Sequence, residues 1–162
     1  MHDQGIKSQE QATDQFKEQS TVADKVWAEK LLAMPDSDYM NAEQLAFFRQ
    51  RLLDERDEIE AHLREIRGVI ASHERDSDEA DQASFEEELR LALRQADRES
   101  RLLNNIAAAL KRIESGDYGY CDETGEPIGL ARLMFRPTAK LCIEAKERQE
   151  QHEHHYRKAR WG

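Results

Sequence analysis

The stretch FEEELRLALRQADRESRLLNNIAAALKRI, residues 85–113, decides the fold. Phe85, Leu89, Ala92, Ala96, Glu99, Leu103, Ile106, Leu110 and Ile113 follow one another at alternating steps of four and three, and only Glu99 is not apolar. Such a heptad train lays a narrow apolar stripe along a helix, and the stripe is stable only when a second one covers it. That second stripe lies upstream. Leu45, Leu52, Ile59 and Ile66 recur every seven residues, flanked by Phe48, Leu63 and Ile70. Each train of about thirty residues predicts about 45 Å of helix.

Between the trains lies His73-Glu-Arg-Asp-Ser-Asp-Glu-Ala-Asp81, rich in turn and capping residues. Two helices of matched length joined by a short polar link cover their stripes most simply by folding back into an antiparallel hairpin. An unbroken helix in a parallel multi-chain coiled coil is the competing reading, but the break interrupts the register midway. Asn41 has the features of an N-cap, with Gln44 completing a capping box and Met40 and Leu45 as a hydrophobic staple. Gly116 is placed for a left-handed C-terminal cap.

The flanks differ in character. Residues 1 to about 20 are polar and Gln-rich, without apolar periodicity. Val22, Val26, Trp27 and Leu31 then predict the apolar side of a short helix ended by Pro35. Downstream, Tyr118, Tyr120, Ile128, Leu130, Leu133, Phe135 and Leu141 form an apolar patch with turn residues at 124–127, suited to a small hairpin ribbon. Pro137 and Thr138 are expected to introduce a final helix carrying Leu141, Cys142 and Ile143. The expected organisation is a leader (1–35), a coiled-coil hairpin (36–116) with an acidic tip near 76–83, and a globular unit with a C-terminal helix (117–162). The fold class is mainly α: a long antiparallel coiled-coil hairpin, a small zinc-ribbon-like unit lacking a complete metal site, and a terminal helix.

Cys121-Asp-Glu-Thr124 and, after seventeen residues, Cys142-Ile-Glu-Ala145 keep the layout of a C-x-x-C…C-x-x-C zinc frame, with Thr124 and Ala145 in place of two cysteines. Tetrahedral zinc needs four donors; Thr is a poor one and Ala is none. No zinc is therefore expected. Three roles stay open for Cys121 and Cys142: small buried hydrophobes, a weak zinc site helped by Asp122, Glu123 or one of His152, His154 and His155, or oxidant sensors.

A net charge of −10, with cations interleaved among more numerous acids, argues against direct DNA binding, which draws its affinity from cations along the phosphates. No apolar run is long enough for a bilayer, and the first residues lack a signal-peptide core, so a cytoplasmic location is expected. No nucleophile stands beside a base at motif spacing and no glycine-rich phosphate loop is present, so the chain does not read as an enzyme.

Several longer stretches are similar to one family. They are Tyr39-Met-Asn with Gln44-Leu and Phe48-Arg, Asp78-Glu-Ala-Asp81-Gln-Ala83, Glu86-Glu-Glu-Leu, and Arg94-Gln-Ala-Asp97-Arg98-Glu99. Gly119-Tyr-Cys121, Ile128-Gly, Arg132-Leu, Arg136-Pro-Thr-Ala and Leu141-Cys142-Ile continue the pattern. Over roughly residues 35 to 150 the chain resembles the TraR/DksA family of bacterial RNA polymerase-binding regulators, in a branch that dispenses with zinc. The resemblance implies a monomer whose hairpin enters the secondary channel of RNA polymerase, with Asp78, Asp81 and Ala83 at the tip near the active site. It implies destabilised open complexes at ribosomal RNA promoters, activation of some biosynthetic promoters, and action with ppGpp in the stringent response. Leu102, Arg136 and Lys146 match positions of a ppGpp site shared with polymerase, and Asn105 stands where the family pattern has a lysine. A self-associating coiled-coil spacer and a Gre-type transcript-cleavage factor are the alternatives.

Overall fold

The computed structural model describes residues 22–76 and 82–161. Among these described residues five α-helices follow in order: α1 (Val22–Leu32), α2 (Ala42–Asp76), α3 (Gln82–Ser115), α4 (Leu130–Phe135) and α5 (Ile143–Trp161), with a short 3-10 turn at Asp36–Asp38 after α1. Helices α2 and α3, of 35 and 34 residues, pack along each other as the antiparallel hairpin that the two trains require. At 1.5 Å per residue each is about 50 Å long. The register is fixed chemically as well as sterically. Glu99, the acidic member of the α3 seam, receives His62 Nδ1 from α2 at 2.8 Å and Gln95 Nε2 at 2.8 Å.

On the hairpin, full burial among the described residues is confined to its base. Phe48, Leu52, Ile59, Ile106 and Ala109 are buried there together with Tyr118, Ile128, Leu133 and Met134 of the globular unit. Beyond Ile59 on α2, and before Ile106 on α3, the seam residues with described side chains are half-buried or exposed. The hairpin is anchored at one end and becomes a bare two-helix finger at the other.

The start of α2 follows its capping signal closely. Gln44 N donates to Asn41 Oδ1 at 2.8 Å, and the buried Gln44 side chain accepts from Met40 N at 2.7 Å. Gly116, at φ 85°, ends α3 in the left-handed region, and Asp117 N and Tyr118 N then both turn back to the Arg112 carbonyl.

Three expectations are corrected. The packed face of α1 is Ala28 and Leu31, both buried, whereas Val22 and Val26 are 79% and 62% exposed and Trp27 lies partly open under Lys30. The small Ala28 lets the backbone of α1 approach its neighbours, so the helix docks through its last turns. The final helix begins at Ile143, so Leu141 and Cys142 precede it. The ribbon is reduced to a single antiparallel bridge, Tyr120 to Pro127, and helix α4 takes up much of the remaining apolar patch. Among the described residues no helix is long and apolar enough to cross a membrane.

Candidate functional site: the cysteine knuckle and the base of the hairpin

The turn from Cys121 to Glu126 closes on itself: Gly125 N donates to the Cys121 carbonyl at 2.9 Å and Cys121 N to the Glu126 carbonyl at 2.8 Å. Asp122 N reaches the Lys140 carbonyl at 2.9 Å, which brings the second half of the frame alongside. Cys121, Thr124, Cys142 and Ala145 thereby converge. Thr124 Oγ1 lies 3.8 Å from Cys142 Sγ, both cysteines are buried and unbridged, and Ala145 is fully buried.

The chemistry of this quartet does not fit a structural zinc ion. It offers two thiols and a hydroxyl, and the fourth corner is a methyl group. The neighbouring donors are engaged elsewhere: Asp122 pairs with Arg112 at 3.0 Å and Glu123 with Arg148 at 3.0 Å. His152, His154 and His155 are exposed along α5. Among the described residues no cluster of three or more His, Cys, Asp or Glu side chains is arranged to hold a metal.

Instead the corner is held by hydrogen bonds. Burial pushes the Cys121 thiol up, but donation from the Thr124 hydroxyl and from the Cys142, Thr124 and Glu123 backbones outweighs it, and the pKa is lowered. Cys142 is raised, first by burial, with the Ala145 amide and Thr124 opposing. One sulfur of the pair is thus favoured as the acceptor.

Around the knuckle, side chains from distant segments reach its backbone. Tyr39 Oη donates to the Gly119 carbonyl at 2.6 Å and accepts from Gly129 N at 3.0 Å. Gly119, at φ 91°, must be glycine for a second reason: a Cβ there would stand 2.6 Å from Met40 Sδ. Tyr118 Oη donates to the Pro137 carbonyl at 2.7 Å while its ring packs on Phe48. Arg112, in the last turn of α3, donates to the carbonyls of Asp117 and Tyr120, and Arg132 Nε donates to the Leu141 carbonyl at 3.0 Å. Burial, then the nearby Arg136 charge, lowers the pKa of the Arg132 guanidinium.

Sequence profiles of two families cover most of the chain. The family described as "DnaK suppressor protein DksA, N-terminal domain" matches residues 44–113, and "Prokaryotic dksA/traR C4-type zinc finger" matches residues 116–151. The RNA polymerase-binding transcription factor DksA of Caulobacter vibrioides is 47% identical over 126 residues, covering 75% of this chain and 87% of that protein. The chain belongs to the DksA family. The DksA of Escherichia coli K12 is 42% identical over 117 residues, 69% of this chain and 75% of that protein. Among solved structures, transcription factor DksA2 from Pseudomonas aeruginosa is similar at TM-score 0.71 and 54% identity, with 77% of this chain and 97% of that one covered.

Against the DksA pattern, the remaining site residues are placed as follows. Asp78 and Asp81 lie outside the described residues, in the link between α2 and α3. Ala83 is the second residue of α3. Leu102 is half-buried on α3 against the core, with Asn105 one turn further on. Arg136 is exposed just after α4, and Lys146, on the first turn of α5, faces Gln149 and Glu150 of its own helix. The knuckle residues are brought together; Leu102, Arg136 and Lys146 are distributed over α3, the end of α4 and α5. Tyr39, Arg112 and Arg132, which stitch the base, carry no spacing signal of their own. They bond backbone atoms, five to nine residues away for the two arginines and 80 and 90 residues away for Tyr39.

Proposed function

We propose that this DksA family member regulates transcription by binding RNA polymerase as a monomer and inserting its hairpin into the secondary channel. The observation that carries the reading is the mechanical layout. Two helices about 50 Å long hold the five-residue link 77–81 at the opposite end from the anchored knuckle. Asp78 and Asp81 in that link bring negative charge to a confined, poorly screened site, where pairing with basic groups or bound magnesium is strong. Ala83 keeps the adjoining helix start small. In this reading the leader (1–35), the hairpin (36–116) and the knuckle with α5 (117–162) are separate working parts. The protein acts in the cytoplasm, shortens the life of open complexes at ribosomal RNA promoters and assists some biosynthetic promoters.

We infer further that it works without zinc, because hydrogen bonds from Tyr39, Tyr118, Arg112 and Arg132 hold the knuckle where a metal would. Response to ppGpp, through Leu102, Arg136 and Lys146, is expected to be weaker than in a protein with lysine at position 105. The test is transcription from a ribosomal RNA promoter in vitro, with and without ppGpp and a chelator. Wild type should repress equally with the chelator present, and Asp81→Asn should bind polymerase but repress poorly. Equal repression by Asp81→Asn, or loss of wild-type repression on chelation, overturns the reading.

A further inference from the structure

The corner between α1 and α2 holds a thioether where two amides point. Met34, half-buried just beyond α1, places Sδ 3.5 Å from Asn41 Nδ2 and 3.5 Å from Gln44 Nε2. Neither amide turns away. Asn41 Oδ1 accepts from Gln44 N, and Gln44 Oε1 accepts from Met40 N. The capping bonds thus keep both oxygens on the backbone and both NH2 groups toward the sulfur. Gln44 is 1% exposed, and the sulfur is the acceptor that its amide nitrogen finds. A thioether is a weak acceptor, and a buried donor that lacks a good one costs stability. Small solutes have a route to this corner, since Met34 borders a hollow of about 450 Å³ lined also by Tyr39, Gln44, Leu130 and Arg132.

We propose that Met34 is a site of oxidation by hydrogen peroxide, with the Asn41 and Gln44 amides receiving the oxygen placed on its sulfur. A sulfur lone pair attacks one peroxide oxygen, and an S–O bond forms as the O–O bond breaks. The other oxygen leaves as water, taking the proton of the transferred oxygen. Sulfur gives up two electrons and the peroxide takes them. In most cores this change disrupts packing, because an apolar chain becomes polar without a partner. Here two donors are already oriented, and a sulfoxide oxygen satisfies them better than a thioether does. Their placement also selects an epimer, since the oxygen has to lie on the amide side of a sulfur that becomes chiral. Oxidation at Met34 acts on the seating of α1 against the cap of α2, independently of what the hairpin binds.

The experiment treats full-length wild type, Met34→Leu, Asn41→Asp and Gln44→Glu with hydrogen peroxide, then with dithiothreitol to restore the cysteines. Both cap variants keep the capping oxygen and remove the NH2 donor. Peptide mass spectrometry reads oxygen uptake at Met34, with half-buried Met40 and buried Met134 as internal references. The two epimer-specific methionine sulfoxide reductases, applied to the digested peptides, read the epimer. In wild type, Met34 should oxidise faster than Met40, with one epimer in excess by roughly tenfold. Tm should rise on oxidation by about 2–4 °C, and Met34→Leu should show no such rise. Asn41→Asp turns a carboxylate toward the new oxygen, so its epimers should come out nearly equal and its Tm should fall on oxidation. Gln44→Glu repeats the comparison from the second donor. Where a cap variant does not fold, the wild-type epimer ratio and the Tm difference from Met34→Leu decide. An equal mixture of epimers in wild type, an excess that survives in Asn41→Asp, a wild-type Tm that falls on oxidation, or a Met34 that stays reduced while Met40 oxidises overturns the inference.

Discussion

Replacing Tyr39 by Phe removes one oxygen and two bonds. That oxygen donates to the Gly119 carbonyl and accepts from Gly129 N, residues 80 and 90 positions away, so it ties both sides of the knuckle to the entry of α2. The ring itself stays in place, edge-on to Tyr120 with centroids 5.6 Å apart, so buried area hardly changes. A net contribution of about 1 kcal/mol per hydrogen bond gives a loss of about 2 kcal/mol, and for a chain of this size a fall in Tm of about 4–8 °C. Equilibrium urea unfolding followed by near-UV circular dichroism measures it, with Tyr156→Phe, 79% exposed, as a silent control. The m-value should not move. Alkaline titration adds a second readout, because burial raises the Tyr39 pKa above its usual 10.0 despite the Gly129 amide. A group whose folded-state pKa is raised contributes its full stability below the unfolded pKa and loses it as pH rises through the folded one. Wild type should therefore lose stability above pH 10, and Tyr39→Phe should lose less, the buried Tyr118 keeping the rest of the slope. A destabilisation below about 0.5 kcal/mol would show that water satisfies both backbone groups and that the knuckle is held by other means.

The remaining predictions concern the metal frame, the seam and the effector. Thr124→Cys with Ala145→Cys should bind about one zinc ion per chain and acquire a chelator-dependent Tm, while wild type melts identically with and without chelator; a dye-competition assay reads the stoichiometry. Glu99 has its pKa lowered, mainly by the Gln95 hydrogen bond and further by His62. Its stability contribution is present above pH 4.5 and should disappear as pH falls through the lowered value, giving an acid limb in helical circular dichroism that Glu99→Gln flattens. Asn105→Lys should lower the ppGpp concentration for half-maximal repression by roughly tenfold or more, the worth of one charge-assisted contact to a pyrophosphate; an unchanged value would place position 105 away from the effector.

The hairpin was legible because a heptad seam writes its partner into the sequence: 45, 52, 59 and 66 against 92, 99, 106 and 113 leave little freedom of pairing. Even the oddity at Glu99 finds its reason in His62, whose position beside the seam could have been noticed. The capping of α2 was equally readable, since Asn41 and Gln44 act within one turn. The knuckle was not. Its apolar residues were identifiable, but its path is set by side chain–backbone bonds spanning five to ninety residues, which leave no periodic trace. The packed face of α1 departs from its hydropathy pattern because size outweighs hydropathy there: Ala28 is buried where Val26 is exposed.

Arg112 binds the end of α3 to the carbonyls of Asp117 and Tyr120 and to the Asp122 carboxylate. Mechanically that guanidinium is the hinge pin of a long lever. Over an arm of about 50 Å, a tilt of about 5° at the pin swings the free end by about 4 Å, more than the reach of a hydrogen bond. Aiming accuracy at the far end is therefore governed by stiffness near residue 112, and substitutions there should blunt the protein's action while leaving its helices intact.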